Sequence, residues 1–205
     1  IAARFGWRNA ETQTYWYQAG LQNGDYQVAM DRADALMRAH PQLIDQVMLL
    51  KPLETDPAVQ RILADRLKQL PPWLPNYMQA DDDTPKDVLD RRLVVLSDVN
   101  STGFSLGCDV VAPLTRTLLD NGRRSDAEAV WNRNCRTAKV SGYLFDPDFA
   151  QVLGDASSKQ PFAWRPMASG DLSFARVTEP DGKKALAISN SASVTHLALT
   201  QAVAF

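Results

Sequence analysis

Along residues 9 to 140 apolar positions recur every three or four residues, and after Gly142 that spacing gives way to aromatic, turn-rich and alternating stretches. The first spacing keeps one face of an α-helix apolar, and the second does the same for a β-strand. Two helices are predicted over residues 9 to 40, around a break at Asn23-Gly24-Asp25 where Gly terminates and Asp caps. The second carries Tyr26, Ala29, Ala33, Leu36 and Met37 on one face. It stops before His40-Pro41, because Pro disfavours helix in the residue before it.

Two more start signals follow. Asp56-Pro57 opens a stripe of Val59, Ile62, Leu63, Leu67 and Leu70, which ends at Pro71-Pro72-Trp73. Asp83-Thr84-Pro85 opens another, of Val88, Leu89, Leu93, Leu96 and Val99. A second hairpin spans residues 106 to 138: Leu106, Val110, Leu114, Thr117 and Leu118 run to Asn121-Gly122, with Pro113 predicting a late start or a kink. Its partner begins at Ser125-Asp126-Ala127-Glu128, a capping box, and continues through Val130, Trp131 and Cys135. About five to seven antiparallel helices are expected to stack in series. Trp16 and Trp131 are expected in that packing and Trp73 as a wedge between helices.

The two hairpins share a spacing: Gly24, Ala29 and Ala33 in the first, Gly122, Ala127 and Trp131 in the second. With Tyr26, Leu36 and Pro41 this resembles the tetratricopeptide repeat, with Gly at the turn, Ala where helices approach and Pro after the second helix. The first helix of each pair lacks the family's Trp-Leu-Gly-Tyr pattern, which makes these degenerate repeats.

Cys108 and Cys135 lie about fifteen residues before and about twelve after the turn near Arg123, which at 1.5 Å rise per residue sets them within about a helical turn of each other. A disulfide is sterically permitted in oxidising surroundings, and two buried reduced thiols are the alternative.

In the C-terminal part, Leu172 to Thr178 and Lys184 to Ser189 flank Glu179-Pro180-Asp181-Gly182 and predict a β-hairpin. From His196 to Phe205 the residues alternate, with Leu197, Leu199, Gln201, Val203 and Phe205 on one face, as in a half-buried strand. The order Asp148-Phe149, Pro161-Phe162-Ala163-Trp164, Ala185-Leu186-Ala187-Ile188 and Leu199-Thr200-Gln201 resembles the first half of a galactose-binding-like jelly roll, a type used as carbohydrate-binding modules. Together with the repeats it is similar to bacterial envelope proteins associated with exopolysaccharide gene clusters. The expected fold class is α+β: a tetratricopeptide-like superhelix of α-helical hairpins over residues 1-140, then an antiparallel β-sandwich segment over residues 141-205. A jelly roll needs about eight strands, so this segment is expected to be completed by further chain or by another copy pairing on its open edge. Ile1 opens the chain without Met or a leader, so any signal peptide is expected to lie outside it.

Composition narrows the function. With 45% hydrophobic and 22% charged residues, net charge −2 and pI about 5.7, the chain reads as globular. Its scattered Lys and Arg residues disfavour nucleic acid. No apolar run is long enough to span a bilayer. His40 and His196, the two histidines, share no metal-ligand spacing with each other or with the cysteines. Asp81-Asp82-Asp83 precedes a helix start and reads as a solvated cap, and Asp146 with Asp148 falls short of a calcium ligand set. The sequence holds no Gly-Xaa-Ser-Xaa-Gly, phosphate-loop or dinucleotide motif, and nothing in it selects one carboxylate pair for glycoside hydrolysis from its 24 acids. The candidate ligand-contacting residues are Trp164 and Tyr143, as a sugar-stacking platform with Phe162, and His196; Phe162 is expected in the core.

These readings imply a non-catalytic binding or scaffold protein of the bacterial envelope, without cofactor or metal. It is expected to hold a protein partner through its repeats in polysaccharide production or export, with a glycan as a second ligand. The alternative is a carbohydrate-binding accessory module of a larger carbohydrate-active enzyme. The expected location is periplasmic or secreted, with cytoplasmic as the alternative.

Overall fold

The computed structural model describes residues 9–45, 47–81, 83–136, 139–140, 142, 144–153, 160–167, 170–201 and 203. Among these residues the class is α+β, with eight α-helices and two small antiparallel sheets. The chain divides into two compact units, Ile1–Val111 and Ala112–Phe205. The division falls ahead of the boundary after residue 140 that the hydrophobic spacing suggests.

In the first unit α1 (Ala10–Asn23) and α2 (Tyr26–Ala39) fold back on each other around Gly24, whose φ of 72° suits a residue without Cβ. Asn9 caps α1 and Asp25 caps α2 through their side-chain oxygens. At Gly20 an added Cβ would stand 2.9 Å from the Ala29 backbone nitrogen, so the two helices meet there only because the side chain is absent. The predicted face of α2 is buried at Ala29, Ala33, Leu36 and Met37, and Tyr26 is half-buried. Trp16 departs from expectation: it is 39% exposed and packs edge-on against Tyr15 instead of into the core.

A 3-10 turn (Pro41–Asp45) leads to α3 (Val47–Thr55), which contains Pro52. Next comes α4 (Pro57–Leu67), capped by Asp56 with Pro57 in its first turn. Helix α4 is the centre of the unit, packing on α2, on α3 and on α6 (Lys86–Asn100). Its Val59, Leu63, Ala64 and Leu67 are buried, each large side chain contributing about 1.5–3 kcal/mol by leaving water. Leu70, expected on that stripe, is exposed with φ of 52°. Pro71 follows it and disfavours the α conformation there, so the chain leaves the helix. Trp73 then inserts fully buried, as the wedge reading expects, and its Nε1–H donates to Asp34 Oδ1 at 2.8 Å. Asp34 also accepts from Arg38 Nε at 2.8 Å and Arg66 Nη1 at 3.1 Å, so this buried carboxylate is fully occupied. Helix α5 (Leu74–Met78) adds buried Tyr77 and Met78.

Helix α7 (Cys108–Asp120) straddles the division and carries Pro113 in its interior, and α8 (Arg124–Asn134) follows. The predicted capping box of α8 does not form. The helix begins at Arg124 instead, and its acids are taken by ion pairs, Arg124 with Glu128 and Arg123 with Asp126, both at 2.8 Å. The predicted face, Ala127, Val130, Trp131 and Cys135, is buried. Phe162, also buried as expected, meets Trp131 edge-on at 6.3 Å, with the Arg124 guanidinium 5.6 Å from its ring.

The two sheets are separate two-stranded pairs. Strands β2 (Leu172–Thr178) and β3 (Lys184–Asn190) form the predicted hairpin, in register from Leu172↔Asn190 to Thr178↔Lys184. Strand β1 (Arg165–Pro166) pairs with β4 (Leu199–Thr200) over two residues each. Of the alternating strand expected from His196 to Phe205, the described residues form strand at Leu199–Thr200, Leu197 is 63% exposed, and Ala202, Ala204 and Phe205 lie outside the described residues. Pro166 has no amide to donate, yet the pairing passes it by one residue, Met167 N–H donating to the Ala198 carbonyl at 2.8 Å. Among the described residues no helix is long and apolar enough to cross a membrane.

Candidate functional site

A groove of about 620 Å³ opens in the first unit between α3, α5 and α6, with Gln79, Ala80, Asp81, Asp83, Thr84 and Pro85 along one side. Its charged lining comprises Lys51, Glu54, Asp81, Asp83, Arg91 and Arg92. The helices place these groups for ordinary reasons. Leu89, Val95, Leu96 and Val99 face the core of the unit, and Arg92 occupies the same stripe one turn from Leu89 and from Leu96.

Glu54 is buried and satisfied at both oxygens: the Tyr77 hydroxyl donates to Oε1 and Arg91 Nε to Oε2, each at 3.0 Å. Arg91 also binds the carboxylate of exposed Asp87. That hydrogen bond, with the Arg91 charge, holds the Asp87 carboxyl below the usual carboxylate range. Burial, reinforced by the Glu54 carboxylate and its hydrogen bond, pushes the Tyr77 hydroxyl well above its ordinary value.

Arg92 differs from its neighbour. It is only 4% exposed, and its Nη1 donates to the Gln79 carbonyl oxygen at 2.7 Å. Its guanidinium lies 5.2 Å from the Tyr77 ring centre, and its Nε is buried without a hydrogen-bond partner. Among the described residues no carboxylate pairs with it. Asp81 and Asp83 are exposed along the groove, and Asp81 Oδ1 accepts from the Thr84 hydroxyl at 2.9 Å. Lys51 is exposed as well. Among the described residues the cations Arg91 and Arg92 thus lie beside the carboxylates Glu54 and Asp87, and of the two arginines only Arg91 makes ion pairs.

The residues singled out from sequence lie elsewhere. Trp164 is half-buried, its Nε1–H donates to the Asp146 carbonyl at 3.0 Å, and its ring stacks at a tilt on Phe149 at 5.2 Å. Its polar edge and part of its face are thus already engaged. Tyr143 lies outside the described residues. His196 is half-buried, with Nε2 3.8 Å from Asp171 Oδ2. Asp146 is buried and spends Oδ2 on the Gln151 amide at 2.8 Å, while Asp148 is exposed. His40 closes α2 and is half-buried. Cys108 is half-buried and Cys135 buried, and neither is joined in a disulfide. Among the described residues no three His, Cys, Asp or Glu side chains gather as a metal site.

Sequence reasoning passed over Glu54, Arg91 and Arg92. The signal for Arg92 was present: an arginine three residues after Leu89 and four before Leu96 sits on the core side of α6. Comparison with family models, with curated proteins and with solved structures finds no match to this chain.

Proposed function

We propose that this chain is a non-catalytic binding and scaffold protein of the bacterial envelope that mediates protein–protein contacts in polysaccharide production or export. The observation that supports this reading is the groove of the first unit, which the helical frame lines with exposed Lys51, Asp81 and Asp83. Helical hairpins of tetratricopeptide type serve as such frames, and the α1–α2 pair has the Gly turn and small Ala contacts of that type. The β-hairpin is read here as a jelly-roll segment, the second element of the envelope proteins that the sequence resembles. A carbohydrate-binding module is the second reading, favoured by the half-buried Trp164 beside Phe149.

Affinity capture from an envelope extract with the whole chain, compared with Val88→Arg and with Trp164→Ala, separates the two. The scaffold reading expects one protein retained by the wild type and by Trp164→Ala and lost with Val88→Arg, which fills the groove. Glycan binding abolished by Trp164→Ala, with no retained protein, would support the second reading instead. Hydrolysis of a polysaccharide by the chain alone would overturn the non-catalytic assignment.

A further inference from the structure

We infer that Asn23 is a site of spontaneous covalent modification, where the side-chain amide closes on the Gly24 backbone nitrogen and is converted to a carboxylate. The chain holds two Asn-Gly pairs, Asn23-Gly24 and Asn121-Gly122, and each closes a helix. Glycine permits this chemistry because no Cβ shields its nitrogen from the preceding side chain. Both pairs are exposed, and the glycines share a left-handed φ of 72° and 70°. Sequence and exposure therefore do not tell them apart. Hydrogen bonding does. After α7 the Gly122 amide donates to the Leu119 carbonyl at 2.9 Å and the Arg123 amide to Leu118 at 2.7 Å. Asn121 Nδ2 donates to the Thr117 carbonyl at 2.9 Å, which ties down the group that would react. After α1 the Gly24 amide reaches the Leu21 carbonyl at 3.3 Å. Among the described residues Asp25 makes no counterpart of the Arg123 bond, and the Asn23 side chain has no hydrogen-bond partner. Ring closure requires the asparagine to leave helical backbone angles, so its rate follows how readily that helix end opens. The end of α1 is the looser of the two.

Water is the one co-reactant. The Gly24 nitrogen attacks Asn23 Cγ and a cyclic imide forms. The side-chain nitrogen leaves as ammonia, carrying the proton that Gly24 gives up. Water then opens the ring at Cγ, which yields aspartate, or at the main-chain carbonyl, which yields isoaspartate. Nothing is oxidised or reduced. Either product sets a new carboxylate at the C-terminal end of α1, which has no basic residue in its last turn. The helix dipole disfavours negative charge there. Isoaspartate also lengthens the main chain by a methylene, in the turn that seats Gly20 against Ala29. The modification thus weakens the α1–α2 hairpin.

The whole chain, aged in mildly alkaline buffer at physiological temperature and sampled at intervals, is read by mass spectrometry of the peptides that contain Asn23 and Asn121. Conversion of amide to acid is expected about tenfold faster at Asn23, the factor that roughly one to two further hydrogen bonds of ordinary net strength would give Asn121. In denaturant, where both helix ends are open, the two sites are expected to react at similar rates. Asn23→Gln is expected to suppress conversion at that position. Asn23→Asp, which imitates one product, is expected to lower the thermal midpoint of the chain, as ageing does. Equal or slower conversion at Asn23 than at Asn121 in the folded chain would overturn the assignment of the site. An equally large preference for Asn23 in denaturant would place its cause in the sequence and not in the fold. An unchanged midpoint in both Asn23→Asp and the aged chain would overturn the weakening of the hairpin.

Discussion

The helical frame and the β2–β3 hairpin are both regular, yet they are held in opposite ways. Around α4, side chains from α2, α3 and α6 close over one another, and Leu53, Leu63, Leu67, Trp73 and Tyr77 lose all contact with solvent. In the hairpin all seven cross-strand pairs are formed, and yet no residue of either strand is buried. Its apolar residues, such as Phe174, Val177, Leu186 and Ile188, are half-buried or exposed. Backbone pairing alone gives little net stability, because it exchanges water for protein partners, and a lone two-stranded hairpin is marginal. Regular structure and a core are separate achievements, and here they occupy separate regions.

The sharpest way to break this contrast is at Trp73. Its ring is fully buried and its indole nitrogen donates to Asp34, so Trp73→Ala leaves both a cavity and a buried carboxylate short of one donor. The expected cost is about 3–5 kcal/mol, read as a lower denaturant midpoint by circular dichroism at 222 nm. Trp73→Phe, which refills most of the volume and loses only the donor, is expected to cost about 1–3 kcal/mol. Equal losses for the two variants would show that the Asp34 hydrogen bond, and not packing, dominates the wedge.

Much of this frame was legible in the sequence because its signals are local. Asp56-Pro57 and Asn23-Gly24-Asp25 fix helix ends through hydrogen bonds and backbone angles within a few residues. Helix α3 carries Pro52 in its interior, a residue that weakens any helical reading of 47–55, and tertiary packing on α4 overrides it. The site was harder to see. Glu54 and Arg91 are 37 positions apart and meet only in three dimensions, and a stripe read from apolar letters selects Leu93 where Arg92 is the buried residue. Trp164, Phe149 and Asp146 likewise come together only in three dimensions. Of the stretch that alternates from His196, the described residues pair over Ala198 to Thr200, because period two describes what a strand would bury and pairing needs a neighbouring strand as well.

A smaller effect sharpens the same contrast by pH. Tyr77 titrates well above 10 in the folded protein, first through burial and then through the Glu54 carboxylate. Unfolded, it releases its proton near pH 10. A pKa raised on folding gives stability that is complete below the unfolded value and is lost as pH rises toward the folded one. The helical frame is therefore expected to lose about 1.4 kcal/mol per pH unit above pH 10 through this residue. Unfolding followed from pH 9 to pH 11.5 should show a shallower decline in Tyr77→Phe, and identical slopes would remove Tyr77 as the cause. The hairpin, which has no tyrosine, contributes nothing to that slope.

The smallest effect is expected where the strands lie open. Ile188 stands opposite Phe174 and is 43% exposed, so Ile188→Ser gives up one cross-strand contact and creates no cavity. The expected change is about 0.5 kcal/mol, confined to the hairpin. Backbone amides of β2 and β3 are therefore expected to exchange with solvent faster than those of α4, with the variant raising exchange in the strands alone. A loss above about 2 kcal/mol would mean that Ile188 is buried in solution as a core residue is. The hairpin would then have a packed face, and the distinction between pairing and core would no longer separate these two regions.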